Sequence, residues 1–148
     1  MNEETTIQYS HIGAYGIYIK NNAVLLIKKS RGPYTGMYDL PGGKIEAGET
    51  IEECLKREFI EEVGCEITSQ TFLSENEYTT EEYKGNPFRH FGTYFTVSIS
   101  SDDIKTGADG EDSLGAEFIN LDTLDQTEIS PIAKPMIEKA ISFSKDNN

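Results

Sequence analysis

The chain is poor in the residues that would mark several common classes of protein. It has two cysteines, Cys54 and Cys65, in 148 residues, with no Cys-x-x-Cys pair. A disulfide framework and a cysteine-rich zinc site are both excluded by that count. Basic residues are scarce, 13 Lys and Arg against 26 Asp and Glu, giving a formal net charge of -13. A protein that coats nucleic acid needs a basic face to displace counterions, and one that docks on an anionic bilayer needs the same. Neither partner is expected. Long hydrophobic runs are also missing. The longest aliphatic stretch, residues 23–27, falls far short of the ~20 residues of a membrane helix. The opening Met1-Asn2-Glu3-Glu4 carries no basic patch or apolar segment of the secretory type. There is no internal repeat and no linker-like stretch. With 36% apolar and 10% aromatic residues, the expectation is one globular, cytoplasmic domain over residues 1–148.

Several segments have clear local signatures. Residues 12–20 and 23–29 read as strands, and Asn21-Asn22 between them suits a two-residue hairpin turn. Residues 30–48 are rich in Gly and Pro and lack a helical period, which predicts an irregular loop. Thr50, followed three residues later by Glu53, forms a capping-box pattern, and Gly64 stands where a left-handed helix end belongs. Strands are expected near residues 71–73, over 91–99 and over 117–121. Residues 75–90 read as a long hairpin or loop, and 101–113 as a solvated turn. A closing helix is expected after Ser130-Pro131, its start blurred by Pro135. Strands with one embedded helix, then more strands and a helix, predict a mixed α/β sandwich.

The embedded helix carries the chemical signal. With Glu58 at zero and ~100° per residue, Ile51, Leu55, Phe59 and Cys54 define one apolar side. Glu58 and Glu62 lie among them and Glu61 flanks them, whereas Glu52, Glu53, Lys56 and Ile60 take the opposite side. An acidic run on a helix is ordinarily a solvated face. Here the carboxylates fall on the apolar side, where mutual repulsion and desolvation penalise their charge. A bound cation removes that penalty, and carboxylate oxygens at this spacing suit Mg²⁺ or Mn²⁺. Arg57 is placed to orient a neighbouring carboxylate without competing as a ligand. Ahead of the helix, Gly42 and Gly43 permit positive φ and a close backbone approach to an anion.

Together these segments spell G-x5-E-x7-R-E-U-x-E-E-x-G-U, with U apolar, at Gly43, Glu49, Arg57, Glu58, Phe59, Glu61, Glu62, Gly64 and Cys65. The pattern resembles the box of the Nudix hydrolases. Phe59 and Cys65 are unusual choices for apolar positions, and Tyr38 stands where a tryptophan is common. No charged position of the box is lost. The resemblance implies a Nudix-type α/β/α sandwich with a mixed β-sheet. It also implies hydrolysis of a nucleoside diphosphate linked to another group, by water attack at phosphorus with Mg²⁺ or Mn²⁺. It implies Glu58, Glu61 and Glu62 as metal ligands, with the Gly43 backbone contributing. Glu61, Glu58 and Arg57 form the implied catalytic set, one carboxylate orienting or deprotonating the water. Glu49 braces the loop. The family's habit of recruiting one more acid before a late Glu-aromatic strand, here Glu117-Phe118, nominates Glu111 or Asp112.

Outside the box, seven of the 13 basic residues lie between Lys20 and Arg57. Arg31 and Lys44 are the candidates for phosphate oxygens, Glu46 for a secondary contact, and Tyr34, Tyr78, Tyr83 or Phe88 for stacking on a base. The acidic loop fails as a calcium loop: with Gly110 at the invariant glycine, required acids fall on Lys105, Gly107 and Ala116. His11 and His90 have no ligand spacing and receive no role. The expected partner is a small nucleotide, bound by a monomer or homodimer. Nucleoside triphosphate cleavage competes with cleavage of ADP-ribose or a nucleotide sugar, and with a non-catalytic nucleotide-binding regulator of the same fold.

Overall fold

The hairpin at Asn21-Asn22 forms as its chemistry requires. Both residues have positive φ, 52° and 61°, the combination that matches the twist of the flanking strands. The chain is described here from a computed structural model covering residues 9–83, 85–107 and 113–146. The expected strand over 12–20 is two strands, β1 (His11–Ile17) and β2 (Ile19–Lys20), separated at Tyr18. The break marks a change of sheet. β1 lies between β5 (Gly42–Lys44) and β7 (Asn86–Ile99), while β2 pairs with β3 (Ala23–Lys29).

Two four-stranded sheets result. In the first, the order is β5-β1-β7-β6, with β6 spanning Ile67–Tyr83. β1 and β7 run parallel from His11↔His90 to Ile17↔Thr96, and the other pairings are antiparallel. The sheet is therefore mixed. In the second, β3 pairs with β8 (Ser113–Asn120) along one edge and with β2 and β4 (Tyr38–Asp39) along the other. Of the two readings of residues 75–90 the hairpin holds: β6 to Tyr83 and β7 from Asn86 pair as one long antiparallel ladder. Likewise the Gly- and Pro-rich segment 30–48 contains β4 and β5. Gly42 has φ 141°, and a β-carbon there would lie 2.1 Å from the Ala14 carbonyl oxygen, so only glycine lets β5 pair so closely with β1.

Helix α1 (Ile51–Glu62) begins at Thr50, whose hydroxyl accepts from the Glu53 amide while the Glu53 carboxylate accepts from the Thr50 amide. It ends with Gly64 at φ 78°, its amide donating to the Phe59 carbonyl. Helix α2 spans Ala133–Asp146. Pro135 falls in its first turn, where an amide has no intrahelical acceptor to lose.

The helices cover opposite faces of the strands. Along β3, Val24 and Leu26 join Ile132, Met136 and Ile137 in a core under α2, whereas Leu25 and Ile27 join Leu55, Phe59 and Val63 under α1. All four β3 residues are fully buried. This explains an apolar run without alternation, since a strand with both faces covered needs apolar residues on each. The result is the expected α/β/α sandwich. Both cysteines are buried free thiols. No helix among the described residues is long and apolar enough to cross a membrane.

Candidate active site

The buried face of α1 holds the carboxylates that helical arithmetic placed there. Glu58 is 6% exposed and Glu62 1%. Each negative charge meets a local donor. The Gly42 amide donates to Glu62 Oε1 at 2.8 Å, and Arg57 Nη1 donates to Glu58 Oε1 at 2.8 Å. Glu61, one residue before Glu62, keeps its side chain 46% exposed and lies 3.3 Å from Arg57 Nη1.

Arg57 is the hub of this cluster. Its Nε and Nη2 bond the two oxygens of Glu49 at 2.5 and 3.0 Å, and Nη2 also donates to the Lys44 carbonyl. Glu46 stands 3.4 Å from Nη1. The guanidinium holds the Glu49 carboxyl down to about 2, helped by the Glu46 amide. Glu49 in turn leads the effects that raise the Arg57 pKa. A fork so held ties the loop containing β5 to α1 and fixes the rotamer of Glu58.

Gly43 is needed for a reason other than its expected φ, because its backbone is not in the left-handed region. A β-carbon there would sit 2.7 Å from Glu58 Cδ and Oε1. The missing side chain is the space the carboxylate occupies. The Gly43 carbonyl also accepts the Cys54 thiol at 3.4 Å.

A cavity of about 450 Å³ opens beside this cluster, and Arg31, Tyr34, Lys44, Glu46, Arg57, Glu58 and Glu61 all line it. Glu62 lies behind it, on Gly42. Of the stacking candidates, Phe88 lines the cavity, while Tyr78 packs against the core under α2. The Tyr83 side chain, Glu111 and Asp112 lie outside what is described. Among the described residues no three His, Cys, Asp or Glu side chains converge as a ready metal cage.

Three titratable lining residues received no site role from the sequence, His11, Asp39 and His90, and Lys29 lines the cavity with them as a member of the basic cluster. Asp39 is 9% exposed, with Oδ1 accepting from the Leu40 amide at 2.8 Å and from Ser130 Oγ at 3.2 Å. Burial raises its pKa, and Lys29 leads the opposing effects. Its offset from Pro41-Gly42-Gly43 was a usable signal. The histidines had none, since only the parallel pairing of β1 with β7 joins them.

A buried glutamate pair, a solvent-facing third, an arginine hub and a Gly-Gly strand against them are the spatial form of the motif read from the sequence. The NUDIX domain family model matches residues 10–140, and the chain belongs to the NUDIX family. It is 33% identical over 109 residues to the ADP-ribose pyrophosphatase of Methanocaldococcus jannaschii, covering 74% of this chain and 61% of that one. The chain thus spans less than two thirds of that relative. The 8-oxo-dGTP diphosphatase of Escherichia coli is 31% identical over 121 residues, 81% of this chain and 87% of that protein. Among solved structures, the MutT NUDIX hydrolase from Burkholderia pseudomallei superposes with a TM-score of 0.75 at 22% identity, covering 87% and 96% of the two chains.

Proposed function

We propose that this chain is a Mg²⁺- or Mn²⁺-dependent pyrophosphohydrolase that cleaves a nucleoside diphosphate linked to another group, by water attack at phosphorus. The observation that carries this reading is the placement of Glu58 and Glu61 at the edge of a cavity, backed by Glu62 and the Gly42-Gly43 backbone. These are hard oxygen donors of the kind that suits Mg²⁺ or Mn²⁺, so the residues fit the ion the family implies. Glu58, Glu61 and Glu62 would hold it, with the Gly43 carbonyl and Asp112 as further donors. When bound, the cation neutralises charge on the polyphosphate and lets it approach an acidic site.

The protein's own groups divide the remaining work. Arg57 holds Glu58 and Glu61 in place. Glu61, whose side chain is open to solvent, takes the proton of the attacking water in this reading. Lys44 and Arg31 receive phosphate oxygens on the cavity wall, with Glu46 limiting how the chain of phosphates lies. Tyr34 offers a ring face to the nucleoside.

The relatives divide on substrate, one named for ADP-ribose and another for 8-oxo-dGTP. The match covering most of its relative favours the nucleoside triphosphate. A product screen with Mg²⁺ and Mn²⁺ tests the proposal on canonical and oxidised nucleoside triphosphates, ADP-ribose and sugar nucleotides. A monophosphate with inorganic pyrophosphate supports the triphosphate reading, and AMP from ADP-ribose supports the other. Glu61→Gln is expected to lower turnover by about 10²–10⁴-fold without changing the fold. Undiminished activity in that variant, or no turnover across the panel, overturns the proposal.

A further inference from the structure

The wall of the cavity away from the glutamates is built from aromatic and imidazole rings. His11 of β1 and His90 of β7 are register partners, and their rings stack with centroids 5.0 Å apart and planes 11° from parallel. Phe88 lies 6.4 Å from His11 on the same wall. Behind them, Tyr15 places its hydroxyl 2.8 Å from His11 Nε2 and 2.9 Å from His90 Nε2.

Two glycines make this possible. Gly13 and Gly92 are paired one rung along the same sheet face. A β-carbon at Gly13 would sit 2.8 Å from the Tyr15 hydroxyl, and one at Gly92 2.6 Å from the Tyr94 hydroxyl. Tyr15 and Tyr94, stacked at 5.3 Å, lie back over the empty rung and bring a hydroxyl to the histidine pair.

That hydroxyl has one proton for two imidazole nitrogens. It donates to one Nε2 and accepts from the other, so the two rings carry opposite tautomers. His90 is 5% exposed, and its Nδ1 is buried with no hydrogen-bond partner among the described residues. An orphaned N–H is rarer in proteins than an orphaned lone pair. The arrangement with His90 Nε2 donating to Tyr15, and Tyr15 donating to His11, is therefore favoured. His11 is then held in one orientation and one tautomer while remaining only partly buried.

The histidine pair and Phe88 thus line this wall with rings, the two imidazoles stacked and Phe88 tilted 38° from His11. Burial, with His11 and Lys29, pushes His90 down to about 3, so it stays neutral near pH 7. Ring faces and edges of this kind suit contact with another aromatic ring. Sheet order sets the wall beside the phosphate-handling groups: His11 on β1 is one strand from β5, about 5 Å, and Phe88 on β7 is two strands away, about 10 Å. The span from β5 to Phe88 is on the scale of a nucleoside.

We propose that His11, with Phe88, contacts the planar nucleobase of the substrate, and that Tyr15 and His90 are positioning residues that fix the His11 ring. The inference rests on the nucleotide reading above and names the side chains that select the base.

The test is calorimetric binding, without turnover, of AMP, GMP, CMP, UMP and ribose 5-phosphate in Mg²⁺ buffer. Wild-type protein is expected to bind at least one nucleotide tenfold or more tighter than ribose 5-phosphate, the scale of one base-aromatic contact. In His11→Ala that preference falls at least fivefold while ribose 5-phosphate binds as before. His11→Leu keeps the bulk of the site and is expected to lose the preference equally, which covers a poorly folded alanine variant. Wild-type indifference to the base overturns the proposal, as does equal weakening of all five ligands or full preference in both variants. Imidazole ¹⁵N shifts test the positioning role. They are expected to report one His11 tautomer in wild type and a mixture in Tyr15→Phe, and unchanged shifts overturn it. Base preference without hydrolysis of any substrate refutes only the proposed activity. Hydrolysis without base preference refutes only this inference.

Discussion

Acid destabilisation through His90 gives the most quantitative prediction. The ring is packed between His11 and Tyr15 of β1, with Lys29 of β3 near, and it is 5% exposed. Its pKa is pushed down to about 3, first by burial and then by the neighbouring His11 and Lys29. In the unfolded chain a histidine titrates near ~6.5. Between these values the unfolded state binds a proton that the folded state refuses, so stability falls as pH falls, by up to about 1.4 kcal/mol per pH unit. The contribution is fully present above pH ~6.5 and amounts to a loss of about 2 kcal/mol at pH 5. For a chain of this size that corresponds to about 4–8 °C in Tm. Urea unfolding of wild type and His90→Gln at pH 8, 7, 6 and 5 isolates the term, because the carboxylates titrate in both proteins. The wild-type curve is expected to fall about 2 kcal/mol further than the variant's between pH 8 and 5. Parallel curves would show that His90 takes up a proton in the folded state and refute the reasoning.

Two further predictions concern the carboxylate cluster. Gly43→Ala puts a β-carbon 2.7 Å from the Glu58 carboxylate. It is expected to cost about 1–3 kcal/mol of stability by overpacking and to abolish most turnover, checked by denaturant unfolding and steady-state kinetics. Glu49→Gln loosens the Arg57 fork, and activity is expected to fall about 10–100-fold. Unchanged kinetics would show that Arg57 is held well enough by Glu58, Glu61 and the Lys44 carbonyl alone.

Legibility followed the range of the interactions involved. α1 was readable to its ends, because its cap, its Gly64 terminus and the burial of Glu58 and Glu62 all depend on residues within a turn or two. The hairpin at Asn21-Asn22 was readable for the same reason. The break at Tyr18 was not. Nothing in an alternating run marks where its hydrogen-bond partner changes from one sheet to another. β4 and β5 were hidden in a Gly-rich segment because their pairing depends on β3 and β1, not on their own propensity. The cavity split the same way. Arg31 and Lys44 stood out in a local run of basic residues, Tyr34 as a loop aromatic and Glu46 by its place beside the motif. His11 and His90 meet only through the parallel β1–β7 register, which no local pattern announces.

Glycine links the two halves of the cavity. At Gly43 the absent β-carbon leaves room for the Glu58 carboxylate, and at Gly13 it leaves room for the Tyr15 hydroxyl. The same hypothetical β-carbon at Gly13 would lie 2.7 Å from the Gly43 carbonyl oxygen and 3.0 Å from His11 Nε2. One position on β1 therefore touches both the backbone beside the acidic cluster and the imidazole wall. A larger residue there would push on both at once. The arrangement of the acidic cluster and the ring wall rests on the sheet staying bare at that rung. The glycine of the motif is recognised by its spacing from the glutamates. The glycine of the rung is recognised only once β1 is paired with β5 on one side and β7 on the other.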